Sequence, residues 1–241
     1  MSWFLVAVFA TAVLSGATAA VAGFGIGSLL TPLLASRLGM TTAVAAVAVP
    51  HALATAVRCW RLRRSIDWSV MRTFGLLSAA GGLTGALFYT RLSNRALTIV
   101  LAILLLATAV AGVSNWMKRV QVRRGGSGML GILSGLFGGV AGNQGGLRAA
   151  ALLAFPLAPL AFVATSTATG LLVDAARLPV YLWRSGPELV PLAGPIAIAS
   201  LGVLVGTVAG ERVLLGMKPE RFRVAVSILI GLLGVWLLVS M

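Results

Sequence analysis

Residues 141–150, AGNQGGLRAA, place hydrogen-bond donors and a positive charge in a stretch of the chain that is otherwise apolar. The amide side chains of Asn143 and Gln144 can donate hydrogen bonds, and Arg148 follows about one helical turn later. Around them lie glycines that tolerate unusual backbone angles, namely Gly142, Gly145 and Gly146. Donors, a cation and an irregular backbone together are the chemistry of an anion-binding site.

A second glycine cluster near the N-terminus has similar spacing but no charge. It comprises Gly23, Phe24, Gly25, Ile26 and Gly27. When AGFGIGSLLTPLLA (22–35) is laid on AGNQGGLRAAALLA (141–154), the initial Ala-Gly, a later glycine and the final Leu-Leu-Ala coincide. The same alignment places Arg58 on Arg177. The pattern predicts two related halves of the chain.

A glycine cluster inside a membrane helix favours a break, and the freed N–H and C=O groups must then be buried in protein or line a wet cavity. The short helix after each break would begin near the bilayer midplane, where its N–H groups and positive dipole end attract anions. Arg148 adds a cation at such an end, which is unfavourable unless an anion joins it. Two alternatives stay open: Arg148 snorkels to the interface, or it pairs with Asp174.

Asp174 and Arg177 lie in the other polar segment, residues 161–182. Residues three apart share a helical face, so the two side chains can pair. One interpretation is structural, since the carboxylate makes a buried arginine tolerable. The other is functional, with the pair acting as a substrate gate or Asp174 as a protonatable coupling site.

Three further polar residues are candidates for coupling or gating. Thr165 and Ser166 either bond back to their own helix or line a cavity. Pro50 is expected to break the second segment at mid-depth, next to His51. His51 is either a proton carrier or a histidine that packs between helices.

The composition indicates what surrounds these residues. Of the 241 residues, 59% are hydrophobic and 10% are charged, and the mean hydropathy is +1.02. Soluble domains carry about 25% charged residues. Apolar runs of about 20 residues recur along the chain, and this is the length of helix that crosses a bilayer. We therefore expect an all-α polytopic membrane protein in two four-segment repeats, 1–118 and 119–241. The expected hydrophobic segments are about eight: 2–35, 40–57, 69–90, 96–117, 129–155, 161–182, 189–210 and 222–240.

The net charge of +14 comes from 19 Lys and Arg against 5 Asp and Glu. These basic residues fall mainly in short loops between apolar runs, which indicates membrane topology rather than nucleic-acid binding. If the fifth segment enters the membrane and returns, most of them collect on one side. Eight full crossings would divide them almost evenly. We therefore expect loops 58–66, 118–128 and 211–221 to be cytoplasmic. A first segment that also re-enters would make the repeats inverted.

The residue inventory excludes several other classes of site. Cys59 is the single cysteine and His51 the single histidine, so neither a disulfide nor a Cys- or His-rich metal site is expected. The GxxxxGK[ST] motif of nucleotide-binding proteins does not occur. GGSG at 125–128 is interpreted as a flexible linker. We expect no catalytic residues, no metal and no cofactor.

The chain resembles the sulfite exporter TauE/SafE family of bacterial membrane proteins. The resemblance rests on GFGIGSLLTPLLA, on GLFGGVAGNQGG and on VATSTATGLLVDAARLPVYL, and it spans nearly the whole chain. It implies a multi-pass protein of the bacterial cytoplasmic membrane that moves sulfite or related sulfur-containing anions. It also implicates residues 23–27 and 142–146 in the substrate site, and Asn143, Gln144 and Arg148 depart from a glycine-only second motif.

These observations lead to the expectation of a secondary transporter that exports a small anion, sulfite or an organosulfur anion such as a sulfonate, and is driven by the proton gradient. The expected partners are that anion and the lipid bilayer, with no nucleic acid, and a homodimer is left open. A passive anion channel and uptake rather than export are the alternatives. An intramembrane enzyme would need a paired nucleophile and base, and the chain offers only isolated candidates. A scaffold would leave the polar residues at the midplane unexplained.

Overall fold

The computed structural model describes residues 2–22, 25–114, 124–143, 145–152, 155–213 and 219–240. Within these ranges the chain forms helices and short connections, with no strand. This confirms the predicted all-α fold. Gly23, Phe24 and Gln144 of the predicted site lie outside the described residues, as do residues 115–123 and 214–218, which include parts of the predicted 118–128 and 211–221 loops.

Eleven α-helices follow one another in the described part of the chain. In order they are α1 (Ser2–Ala22), α2 (Ile26–Leu38), α3 (Met40–Leu62), α4 (Trp68–Val70), α5 (Leu76–Phe88), α6 (Asn94–Ser114), α7 (Arg124–Ala141), α8 (Gly145–Leu152), α9 (Pro159–Leu189), α10 (Ala193–Val213) and α11 (Pro219–Val239). A π-helical stretch, Met71–Gly75, joins α4 to α5. Wider π turns of this kind often occur near functional sites.

Helices end and begin again at both glycine clusters. The first apolar segment is divided between α1 and α2, and Gly25 before α2 has a φ of 134°. The fifth is divided between α7 and α8, and Gly142 after α7 has a φ of 71°. Residues with a side chain rarely adopt such positive φ angles, so glycine is required at both positions. We call these points the first break and the second break.

Glycines also let two helix pairs pack with their backbones in contact. A Cβ on Gly16 of α1 would lie 2.2 Å from the Val203 carbonyl oxygen of α10. A Cβ on Gly135 of α7 would lie 1.9 Å from the Ser78 carbonyl oxygen of α5. Small residues at helix interfaces are how membrane helices approach closely without a hydrophobic driving force between them.

The helix contacts of the two halves correspond. α1 packs on α10, and α7 packs on α5. α3 packs on α10, and α9 packs on α5. The halves join directly through α3 against α9 and through α6 against α11. The first break therefore lies beside α3 and the second beside α9, with these two helices in contact.

Four stretches of the described chain are long and apolar enough to cross a membrane: Trp3–Ala20, Met40–Ser65, Asn94–Ala111 and Pro159–Gly210, the last covering both α9 and α10. The outer surface carries large apolar side chains, including Leu232 at 63% exposure. Such a surface is stable in lipid and would be costly in water. These features agree with the expected membrane protein.

Three local predictions are wrong. α3 runs without interruption through Pro50 and His51, because packing on α2, α9 and α10 supports the helix across the proline. Arg58 is not a loop residue: it lies within α3 and is 5% exposed. GGSG at 125–128 is not a flexible linker, since these residues belong to the first turns of α7, which packs along α5.

Candidate functional site

The two breaks lie against each other. A Cβ added to Gly27 would lie 2.3 Å from the carbonyl oxygen of Gly142, so the two backbones meet where no side chain fits. Thr31, one turn further along α2, reaches the same place: its Oγ1 lies 3.8 Å from where a Cβ of Gly142 would be. The sequence predicted each break, and the tertiary structure brings the two together.

Three polar side chains next to Gly27 and Gly142 in the chain, or one turn away, each carry a buried atom without a hydrogen-bond partner among the described residues. They are Ser28 and Thr31 of α2, 1% and 0% exposed, and Asn143 of the second break, 6% exposed. The atoms concerned are Ser28 Oγ, Thr31 Oγ1 and Asn143 Nδ2. A buried polar group left unpaired costs about 1–3 kcal/mol. Several unpaired groups at one place suit a polar ligand.

Arg148 is a fourth buried group with an unpaired atom. It lies in α8 and is 3% exposed, and its Nε–H donates a hydrogen bond to Ser166 Oγ at 3.1 Å. Its Nη1 has no partner among the described residues. The guanidinium lies over Gly170 of α9, where an added Cβ would be 2.9 Å from Nη1. Its described hydrogen bond is thus with Ser166 and not with Asp174, which lies one turn beyond Gly170 on α9.

Asp174 of α9 is fully buried and contacts two basic side chains, Arg177 and His51. Its Oδ1 lies 2.7 Å from Arg177 Nη2 and accepts a hydrogen bond from Arg177 Nε at 3.0 Å. Its Oδ2 lies 2.6 Å from His51 Nδ1 on α3. The ion pair with Arg177 is the one that the spacing predicts. The contact with His51 joins residues 123 positions apart, and no local pattern indicates it.

Arg177 and Tyr181 connect this pair to the second break. The Arg177 guanidinium donates to the carbonyl oxygen of Gly138, and the Tyr181 hydroxyl donates to that of Gly139. The Gly138 carbonyl also accepts from the N–H of Gly142 at 3.1 Å. One carbonyl therefore contacts both the Arg177 side chain and the glycine that forms the break.

One polar turn of α9 receives donors from three other elements. Thr165 Oγ1 accepts a hydrogen bond at 2.9 Å from the backbone N–H of Asp67, the residue just before α4. Ser166 Oγ accepts from Arg148, and Thr167 Oγ1 accepts from Arg58 Nη2 at 3.2 Å. Thr165 and Ser166 thus bond to neighbouring elements rather than to their own helix. Asp67 lies outside the membrane segments. A hydrogen bond from the Ser69 hydroxyl lowers the pKa of the Asp67 carboxyl group.

The sequence of this chain matches a known family over nearly its whole length. The family model described as Sulfite exporter TauE/SafE matches residues 8–237. The chain belongs to the sulfite exporter TauE/SafE family. No curated protein and no solved structure matches it. Membership implies an integral membrane protein of a transporter family that exports sulfite-type anions.

The buried charges of this TauE/SafE protein favour a negatively charged ligand. Arg148 is 3% exposed and its described hydrogen bond goes to the neutral Ser166, whereas the buried Asp174 contacts Arg177 and His51. A buried cation without a counter-ion is costly in a region of low dielectric constant. Binding of an anion near Arg148 would offset part of that cost.

Several residues of this site were missed by the sequence analysis. Ser28 and Thr31 follow the first glycine cluster at helical spacing, so their hydroxyls are on one face of α2, a signal that could have been used. Tyr181 lies one turn after Arg177 and could have been found in the same way. Gly138 acts through its carbonyl group, for which a sequence carries no signal.

Proposed function

We propose that this TauE/SafE protein is a secondary transporter that exports a small anion, sulfite or an organosulfur anion such as a sulfonate. The observation that carries the proposal is a set of four buried, unpaired polar atoms on residues that follow the two breaks in the chain. They are Ser28 Oγ, Thr31 Oγ1, Asn143 Nδ2 and Arg148 Nη1.

These groups suit an oxyanion chemically. Hydroxyls, an amide N–H₂ and a guanidinium can all donate hydrogen bonds to oxygen. The first N–H groups of α2 and α8 add donors, and the positive ends of the helix dipoles favour an anion. We include the flanking residues of both glycine motifs in the site: Gly23, Phe24, Gly25, Ile26, Gly27, Gly142, Gln144, Gly145 and Gly146.

Alternating access would follow from two inverted repeats, 1–118 and 119–241, that rock against each other around this site. The exchange of helix contacts between the halves, α1 on α10 and α7 on α5, supports such a relation. The breaks would make the first and fifth segments re-entrant.

The re-entrant fifth segment can be tested by labelling. In a Cys59→Ala protein, single cysteines in the 118–128 and 211–221 loops should react with impermeant thiol reagents from the same side, the cytoplasm. Reaction from opposite sides would contradict the re-entrant fifth segment.

Coupling to the proton gradient is part of the proposal, with Asp174, Arg177, His51, Thr165 and Ser166 as coupling or gating residues. A passive anion channel and uptake are the alternatives. In liposomes that contain the purified protein, an imposed pH gradient should drive sulfite above its equilibrium ratio. A channel would dissipate a sulfite gradient and would never build one.

The direct test of the anion site is equilibrium binding to purified protein. Sulfite, sulfate, thiosulfate, sulfoacetate and chloride would be compared in the wild type and in Arg148→Gln. A charge-assisted contact is worth about 1.5–3 kcal/mol, so the affinity should fall by roughly 10- to 150-fold.

Arg184→Gln is the matched control, since Arg184 is an exposed residue of α9 whose side chain stacks on Trp183. It should bind like the wild type. Arg148→Lys should recover only part of the affinity, because an ammonium lacks the planar fork of a guanidinium. Equal affinity in the wild type and a well-folded Arg148→Gln protein would refute the site.

A further inference from the structure

The buried cluster on α3 and α9 contains more charge than an ion pair needs. Arg177 alone would balance Asp174, yet the carboxylate gives its second oxygen to His51. Of the three side-chain types, imidazole is the one that serves proteins as a proton carrier at physiological pH. The His51 side chain is 13% exposed, whereas those of Asp174 and Arg177 are at most 1% exposed. His51 is therefore the least enclosed member of the cluster.

Two routes connect this histidine to the breaks. The first is through space: Arg148 Nη1 lies 2.9 Å from the Cβ position of Gly170, and Asp174, which touches His51, lies one turn further along α9. The second is a chain of hydrogen bonds. It runs from His51 to Asp174, from Asp174 to Arg177, and from Arg177 to the Gly138 carbonyl that also holds the Gly142 N–H.

We propose that His51 is a proton-binding site and that its proton and the transported anion bind cooperatively. The proposal rests on the proposed anion site between the breaks. The imidazole takes one proton from water at the nitrogen that does not face Asp174. The resulting imidazolium keeps its Nδ1–H on Asp174 Oδ2, so the carboxylate stays ionised between two cations.

The sign of the cooperativity follows from Coulomb's law. Asp174 is the buried carboxylate in the described chain and lies one helical turn beyond Gly170, which Arg148 contacts, so it repels an anion bound at Arg148. A proton on His51 offsets that repulsion and adds one positive charge to the cluster. Each ligand must then strengthen binding of the other by the same factor, because linkage is reciprocal. The proton and the anion therefore favour the same bound state of the protein.

The other charged groups around His51 leave this sign unchanged. On α9 the neighbours are Asp174 and Arg177, and on α3 itself Thr55 lies beside the ring, with Oγ1 3.4 Å from Nδ1. The described side chains of α10 up to residue 210 carry no charge. The remaining charged residues of packed elements are exposed or bond to other partners, and are Arg37, Arg58, Arg61, Arg63, Arg64, Arg95, Arg184 and Glu188.

The test measures sulfite binding to purified wild type and to His51→Gln between pH 6 and pH 8. Calorimetry in two buffers of different ionisation enthalpy gives the protons taken up with each anion. Wild type should bind more tightly at low pH, by up to about tenfold per pH unit, the limit for one linked proton. His51→Gln should lose that part of the pH dependence and the matching proton uptake. Both proteins meet the same sulfite species at each pH, so the difference belongs to the protein.

Thr55→Val is the matched control, since it removes the other polar neighbour of the ring without changing a titratable group. It should keep the wild-type pH dependence. Identical pH curves in wild type and His51→Gln would overturn the inference, as would weaker binding or proton release at low pH in the wild type. The wild-type measurement decides the sign even if His51→Gln does not fold. Failure of the wild type to bind any tested anion would instead refute the proposed function.

Discussion

The two helix breaks share a backbone design and differ in their side chains. Each is formed by a glycine with a positive φ, Gly25 at the first and Gly142 at the second. The first is followed by the hydroxyls of Ser28 and Thr31. The second is followed by an arginine: Arg148 occupies the place that Leu29 holds when the two motifs are aligned.

The asymmetry extends to the helices beside the breaks. The alignment that places Arg58 on Arg177 also places Thr55 on Asp174. Each half therefore has a buried arginine on its central helix, but the buried carboxylate is in the second half. A repeat can thus keep the geometry that the fold requires in both copies and place the charge in one copy. Four substitutions compare the halves, beginning with the largest expected effect.

The largest effect should come from Asp174→Asn. The change leaves Arg177 buried without its counter-ion, and breaking a buried pair in this way costs about 3–5 kcal/mol. Folded yield and melting temperature of the purified protein should fall sharply. The double variant with Arg177→Gln should recover part of the loss. Thr55→Val, the aligned change in the first half, should have little effect, and an equal loss there would contradict the comparison.

Gly27→Ala should destabilise the protein by about 1–3 kcal/mol, because the new Cβ would lie 2.3 Å from the Gly142 carbonyl oxygen. The melting temperature measures the effect. Gly186→Ala is the control, since an added Cβ there meets nothing within 4 Å and should be tolerated. A normal melting temperature for Gly27→Ala would mean that the two breaks do not touch.

Gly142→Ala should cost about 1–2 kcal/mol for a different reason. Its nearest neighbour, Val44, lies 3.6 Å from the new Cβ, so there is room, but a φ of 71° strains a residue with a side chain. Its melting temperature should therefore lie between those of Gly27→Ala and the wild type. A loss larger than that of Gly27→Ala would indicate that strain outweighs the clash.

The smallest effect concerns binding. Ser28→Ala removes one neutral hydroxyl from the first break, and a neutral hydrogen bond contributes about 0.5–1.5 kcal/mol. Sulfite affinity should fall by roughly 2- to 12-fold, less than for Arg148→Gln at the second break. Ser36→Ala, an exposed position on the same helix, is the control. If Ser28→Ala weakened binding more than Arg148→Gln, the first break would dominate the site.

Prediction of structure from the sequence succeeded where the physical signal is local. The glycine clusters predict helix breaks because positive φ angles require glycine, and Gly25 and Gly142 have such angles. The spacing of Asp174 and Arg177 predicts their ion pair because a helix brings every third residue onto one face. It failed at Pro50 and at Arg58, where packing by other helices overrides a local tendency.

The sequence by itself determined that this is a membrane protein of the TauE/SafE family and that two of its hydrophobic segments contain a helix break. Hydrophobicity, length and glycine dihedrals are properties of neighbouring residues, so they can be read along the chain. The tertiary structure decided that Gly27 meets Gly142 and that His51 meets Asp174. Those contacts depend on how α2, α3 and α9 pack around the second break, and packing is a property of surfaces formed by residues more than 100 positions apart.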